Sequence, residues 1–405
     1  MDNSFITEIF DISLEKYLNN IESLWTSLPL VINTIKQAQQ TAIEEFNDFI
    51  DNYCKPEKEN HYIIPEEHYR KFLKVKKLVD NSATAVKLIE RNFLVSLICQ
   101  FDTYVSDLIK AIYTVRPEIL NTSEKQFSFA ELKNFKNIQD ATEYIIEKEI
   151  ETVLRGSYTE QFEWFEGKLK IQLRKDLPIW ETFVEITQRR NLFVHNDGKV
   201  LMQYLNVCNK NNIKIDDNVI IGYELSIDEI YLNIAFECLY EIGIKLNQVI
   251  RRKLVPEEIE KADISFLNIS FDLIYNEKYE LAKTLYDFSD KYIKKYSSED
   301  LRLRILINRA QTYKWLNNEE ECKKIINSID WSATDNTFKL VRNVLLNEFE
   351  KAAQMMYKIG NSPDAFTKVD YKDWPVFKMF ILSDYFKKAY FEIYKFEFEI
   401  LEEKI

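Results

Sequence analysis

Apolar residues recur at helical spacing from Asn3 to Asp51, with Phe10, Leu14, Tyr17, Leu18 and Ile21 on one stripe, and the pattern predicts a long amphipathic helix. A charged, Pro-containing loop, CKPEKEN at 54 to 60, follows. Pro65 then stands where it can open a helix, and Glu66 and Glu67 suit the positive end of its dipole. The most regular pattern runs from about Ser82 to Val115, where Leu88, Leu94, Leu97, Phe101, Val105, Leu108 and Ile112 mark a core face. It stops before Pro117.

Beyond a polar linker the spacing predicts helices around 130 to 154 and 158 to 172, then one from Trp180 to His195, with Pro178 before it and NDG after it. Gly198 fits a left-handed cap there. Residues 199 to 209 suit a further short helix, and NIKIDDNVIIGYEL reads as irregular or briefly extended chain. Ser226 and Glu229 are spaced as a capping box before an apolar-periodic run to about Lys253. This order and length of helices describes a bundle.

Past Pro256 the texture changes to helix pairs joined by Asn-rich turns. YNEKYELAKTLY from Tyr275, NEEECKKII from Asn318 and NEFEKAAQMM from Asn347 superpose. Ala282, Cys322 and Ala352 then share a small-residue position, and Leu285, Ile325 and Met355 the next packing position. Small residues there let helices approach closely and bury a continuous core. The pattern resembles tetratricopeptide repeats; a generic array of helical hairpins is the other reading. DWPVFKMF from Asp373 is expected to begin the last helix, whose aromatic residues Phe377, Phe380, Tyr385, Phe386, Tyr390, Phe391 and Tyr394 would cap the array or bind a partner.

Composition agrees with an all-α chain: 6 Gly and 8 Pro in 405 residues leave few positions for turns and β-hairpins. A formal net charge of -12 argues against general attraction to nucleic acid or anionic membrane, while leaving room for a local basic patch. Cys54, Cys99, Cys208, Cys238 and Cys322 are scattered and form no CxxC pair, so neither a zinc site nor a disulfide framework is expected. No window approaches the roughly 18 apolar residues of a membrane span, and the N-terminus lacks signal-peptide character. The expectation is a cytoplasmic protein with reduced thiols and no membrane contact.

The chemistry concentrates in QRRNLFVHNDGKV, Gln188 to Val200, which holds one of the 3 histidines of the chain. On a helix Glu185, Gln188, Leu192 and His195 share one stripe, with Asn191 beside it. Arg190 projects about 140° away from His195. Glu185 can pair with Arg189 one turn later. A histidine titrating near neutrality can move a proton to or from an RNA 2'-hydroxyl or leaving oxygen, and an arginine fork can stabilise phosphorane charge. That route needs no metal and no cofactor. The structural alternative is a histidine placed at a helix C-terminus because its cation suits the dipole. His61 and His68 are separated by Pro65 and read as surface residues, and Trp164, Trp180, Trp315, Trp331 and Trp374 read mostly as core.

RRNLFVHNDG, Arg189 to Gly198, closely resembles the R-N-x-x-x-H element of the HEPN superfamily (higher eukaryotes and prokaryotes nucleotide-binding). The resemblance covers roughly residues 82 to 255, from the long helix ending VRPEIL to GKVLMQYL and beyond. It implies a HEPN-like four- to five-helix bundle, and the chain pattern then reads residues 1–81 as an N-terminal helical extension and 256–405 as a tetratricopeptide-like region. It further implies a homodimer whose motif helices face each other, and metal-independent endoribonuclease activity of the toxin or abortive-infection kind. His195 would act as acid and base, Arg190 would contact phosphate and Asn191 would position. Arg189, Lys199, Gln188 and Glu185 would bind RNA or support the site. Two readings compete with it: a HEPN-like module that binds nucleotide or protein without cutting, and a helical scaffold.

Overall fold

The computed structural model describes residues 3–58, 61–122, 127–362 and 365–399, and the fold is all-α. The chain divides into two compact units, Met1–Leu254 and Val255–Ile405. The first contains α1 (Asn3–Tyr53), α2 (Tyr69–Val115), α3 (Phe129–Leu132), α4 (Ile138–Arg155), α5 (Tyr158–Leu169), α6 (Trp180–Asn196), α7 (Met202–Lys210) and α8 (Glu229–Leu254). Where a loop was expected after α1, an antiparallel ribbon forms between β1 (Lys55–Lys58) and β2 (His61–Ile63). Glu59 and Asn60 of that expected loop lie outside the described residues.

Among the helices of this unit, α2 packs against α1, α4, α6 and α8. It begins at Tyr69, after a 3-10 turn over Glu66–His68 that Pro65 opens, and runs without a break through residues 81 and 82. No break in the helix marks residues 81 and 82. Phe72, Val75 and Val79 extend the apolar side of α2 alongside α1, with the Phe72 ring 6.2 Å from that of Phe49.

Nor is α1 an appendage. It continues through Pro29 and buries Phe10, Leu14, Tyr17, Ile21 and Ile32. Polar contacts fix it to α8: the Tyr17 hydroxyl donates to the Leu239 carbonyl at 2.8 Å, and the Asn247 amide donates to the Phe10 carbonyl at 3.0 Å. Asp11 pairs with Arg251, which is 1% exposed. Gly243 makes the close approach possible, because a Cβ there would sit 2.4 Å from the Tyr17 ring. Such buried, hydrogen-bonded charge specifies one register of α1 on α8. The side chain that caps α8 is Asp228, which accepts from the Tyr231 N–H at 2.7 Å, and not the expected Ser226. The Ser226 carbonyl instead accepts from Arg189 at 3.0 Å.

The second unit contains three helical hairpins: α9 (Ile259–Tyr275) with α10 (Tyr279–Tyr292), α11 (Glu299–Trp315) with α12 (Glu319–Asn327), and α13 (Asn336–Leu345) with α14 (Phe349–Ile359). Their turns repeat one geometry. Glu277, Asn317 and Asn347 are left-handed, with φ of 57, 60 and 59°. The next N–H reaches back five residues in each: Lys278 to the Leu273 carbonyl, Asn318 to Tyr313 and Glu348 to Asn343, at 2.8, 2.9 and 2.8 Å. Ala282, Cys322 and Ala352, at one position after each turn, are all 1% exposed or less.

α15 (Lys368–Asp373) and α16 (Asp384–Tyr394) complete this unit. The last helix does not begin at Asp373 as expected. Pro375 starts a 3-10 turn, and Ser383 caps α16 through the Phe386 N–H at 3.2 Å. Phe377, Phe380, Phe386 and Tyr390 belong to the core, whereas Tyr385 and Phe391 are exposed. Among the described residues no helix is long and apolar enough to cross a membrane.

Candidate functional site

Helix α6 carries the motif. Phe183, Val184, Ile186, Thr187 and Leu192 are its buried face, which holds it against α2, α5 and α8. It ends on two left-handed residues, Asp197 at φ 51° and Gly198 at φ 80°. The Gly198 N–H bonds back to the Leu192 carbonyl at 3.0 Å, a closure that leaves last-turn carbonyls satisfied. The chain then clasps the segment before α8: Val200 N–H donates to the Tyr223 carbonyl at 2.8 Å, and Leu225 N–H to that of Gly198 at 3.0 Å. His195 thus sits in the last helical turn, just ahead of a tightly closed corner.

Its imidazole is exposed and has no hydrogen-bond or ion-pair partner among the described residues. Asn191 lies one turn earlier on the same side and accepts from Arg190 Nη1 at 3.0 Å. The other arm of the Arg190 fork donates to Asp102 Oδ2 at 2.9 Å and to the Tyr158 hydroxyl at 3.1 Å. Tyr158 in turn donates to Asp102 Oδ1 at 2.8 Å. The guanidinium is 18% exposed, and its Nε is buried without a partner. Burial pushes the Asp102 carboxyl above its usual range, against the opposing pull of Tyr158 and Arg190. Burial, with Asp102 beside it, also raises the Tyr158 hydroxyl well above ordinary tyrosine. Within one chain, then, Arg190 is fixed toward α2 and α5, while His195 faces solvent.

Glu185 and Arg189 form a separate network. Glu185 Oε1 accepts from Arg189 Nε at 2.7 Å and from the Tyr204 hydroxyl at 2.8 Å, and Oε2 accepts from Tyr231 at 2.6 Å. The Arg189 guanidinium lies 4.2 Å from the centre of the Tyr231 ring. Both oxygens of this carboxylate accept hydrogen bonds, so Glu185 and Arg189 join α6 to α7 and α8 rather than meeting His195. An open cleft lined by Glu181, Arg189, Lys214 and Asp216 borders the network. Gln188 is half-buried, and Lys199 is exposed beyond the corner.

Arg91 of α2 is a further member that spacing along α6 could not reveal. Its Nη1 donates to Asp197 at 2.6 Å and its Nη2 to Glu224 at 2.9 Å, and the guanidinium stacks 5.0 Å over the Phe193 ring. It therefore locks the corner that follows His195. The one local hint for Asp102 was a carboxylate inside the apolar run ICQFDTYV of α2. Trp164, Trp180 and Trp374 pack against other rings, as where Trp180 meets the Phe162 ring edge-on at 4.8 Å, and Trp331 is buried in the core of the second unit.

No protein-family model, curated protein or solved structure matches the chain.

Proposed function

We propose that the chain is a metal-independent endoribonuclease of the HEPN kind, working as a homodimer in the cytoplasm as a toxin or abortive-infection effector. The observation that carries this reading is His195. A histidine that fills a core is buried and hydrogen-bonded, whereas this imidazole is exposed and has no partner among the described residues, one turn from Asn191 and next to the Asp197–Gly198 corner. Such a group is free to exchange protons with a 2'-hydroxyl or a leaving oxygen. Arg190, held by Asp102, Tyr158 and Asn191, supplies a preorganised positive charge.

The face around His195 supports pairing of two copies. Val194, Leu201, Met202, Ile220, Ile221 and Tyr223 are all at least 40% exposed, and the Val200–Tyr223 clasp draws the last five into one neighbourhood. Contiguous exposed apolar surface of this kind marks an interface. In a two-fold pair each His195 would be completed by the arginines of the partner copy. The second unit would recruit a protein trigger through its helical hairpins, in the manner of tetratricopeptide repeats.

A non-catalytic binding module is the second reading. It is favoured by the engagement of both Nη atoms of Arg190 inside one chain.

Cleavage of total cellular RNA in EDTA separates the two. Wild type should cut, and His195→Ala should lose roughly 10²- to 10⁴-fold in rate while keeping its oligomeric state. Arg190→Ala should also be inactive. Equal cleavage by all three proteins would sink the assignment.

A further inference from the structure

We infer that the outward face of the first turns of α2, built on Arg70, Lys74 and Lys77, is a phosphate-binding track for single-stranded RNA. The ligand's identity rests on the ribonuclease reading; the track itself rests on charge and geometry. Between His68 and Val79 the sequence has five cationic residues, Arg70, Lys71, Lys74, Lys76 and Lys77, and no acidic one. In a chain with net charge -12 this is the local reversal that binding a polyanion requires.

Helix geometry decides where those charges go. Arg70, Lys74 and Lys77 are spaced i, i+4, i+7 and fall on one stripe. Phe72, Val75 and Val79 form the half-buried side of α2, which lies by the α1 rings of Phe46 and Phe49. At 100° per residue the two stripes are separated by about 180°. Arg70, Lys74 and Lys77 are thus turned away from α1, whereas Lys71 lies 4.1 Å over the Tyr53 ring of α1. All five are exposed, and none has an ion-pair partner among the described residues. On contact with RNA, such cations displace the counterions condensed on its phosphates, which makes the binding salt-dependent.

The neighbouring stripe supplies rings. Tyr69 and Leu73 are 52% and 47% exposed beside the cations, and Tyr62 on β2 is 47% exposed. An exposed tyrosine such as Tyr69 next to a cationic row suits stacking of a base. The same helix continues to Arg91 and Asp102, which hold the motif region. From Lys77 to Arg91 the rise is about 20 Å along one continuous helix, so a strand of several nucleotides could engage both places.

The test uses the full chain carrying His195→Ala, which binds without cutting, and a fluorescent single-stranded RNA titrated at several salt concentrations. Changing Arg70, Lys74 and Lys77 to Gln should weaken binding about tenfold at low salt and flatten the slope of log K against log salt by about 2. Lys74→Arg with Lys77→Arg should retain both. A control that removes three equally exposed charges elsewhere, Lys358→Gln, Lys387→Gln and Lys388→Gln, should change neither. Equal slopes in all variants, or no RNA binding by the parent, would overturn the track. So would loss of binding to anionic vesicles alone, which would make the stripe a membrane contact. Cleavage by wild type is read separately: a lost slope without any cleavage refutes the nuclease, and cleavage with an unchanged slope refutes only the track.

Discussion

Arg190 reaches across from α6 to Asp102 of α2, Nη2 to Oδ2 at 2.9 Å, with the Tyr158 hydroxyl bonded to both partners. The fork is thereby fixed before any ligand arrives, which is what an electrostatic contact to developing phosphate charge needs. Asp102→Asn keeps the shape but weakens the anchor. We expect kcat for RNA cleavage to fall roughly 10- to 100-fold with KM nearly unchanged. Tyr158→Phe removes two hydrogen bonds, each worth about 1 kcal/mol, and should lower the melting temperature by about 4–8 °C. Unaltered kcat in Asp102→Asn would show that Arg190 does not act from this position.

Arg91 tests the corner after His195. Its side chain is 12% exposed, but Asp197 and Glu224 are 77% and 49% exposed, so each ion pair is worth about 0.5 kcal/mol or less. The stack on Phe193 adds about 0.5–1 kcal/mol. Arg91→Ala should therefore cost little stability. Cleavage should fall further than that stability loss explains, because His195 is two residues from Asp197. Hydrogen exchange at residues 196 to 200 should quicken in the same variant. If exchange and cleavage both stay at wild-type values, the clasp has no bearing on the site.

Gly198 and Gly167 make a matched pair. At Gly198, φ is +80° and a Cβ would lie 2.8 Å from the Phe193 ring and 3.2 Å from the Leu225 carbonyl. Gly198→Ala should destabilise by about 1–3 kcal/mol. Gly167 is exposed within α5, and a Cβ there meets nothing within 4 Å. Gly167→Ala should stabilise by about 0.5–1 kcal/mol. Denaturant titration of both variants reads the difference, and a neutral Gly198→Ala would contradict the strained corner.

How much of this was legible depends on how far apart the partners lie in sequence. Helix α6 and the Glu185–Arg189 pair are local, written in spacings of three and four. The small residues after the three turns of the second unit were legible for the same reason, since each is fixed by a turn a few residues away. A helix opening at Pro65 was legible, but its continuity with the 82–115 pattern was not, because Lys71, Lys74, Lys76 and Lys77 dilute the apolar signal of Phe72, Val75 and Val79 in any window average. Asp102 and Arg91 were out of reach on other grounds, because they meet Arg190 and Asp197 across 88 and 106 residues of chain. Position of the last helix was misjudged because Pro375 fits a 3-10 turn as well as a helix start.

The buried tyrosines of the first unit predict how it fails at high pH. Burial raises Tyr17, Tyr104, Tyr158, Tyr204 and Tyr231 above their ordinary value, and the Glu185 carboxylate adds to the effect on Tyr204 and Tyr231. In the unfolded chain these hydroxyls ionise near pH 10. Below that pH both states hold the protons and the stabilisation is fully present. Above it the unfolded chain sheds protons that the folded chain keeps, so stability is lost as pH rises, by about 1.4 kcal/mol per pH unit for each group. Tyrosinate absorbance from these residues should therefore appear together with loss of helical circular dichroism, in one steep transition. Tyr204→Phe with Tyr231→Phe should make the alkaline fall shallower, by about 3 kcal/mol per pH unit. They should also lower stability at pH 7, where Glu185 loses two donors. Tyrosinate that forms while the helices remain intact would show that these hydroxyls are not held by the fold.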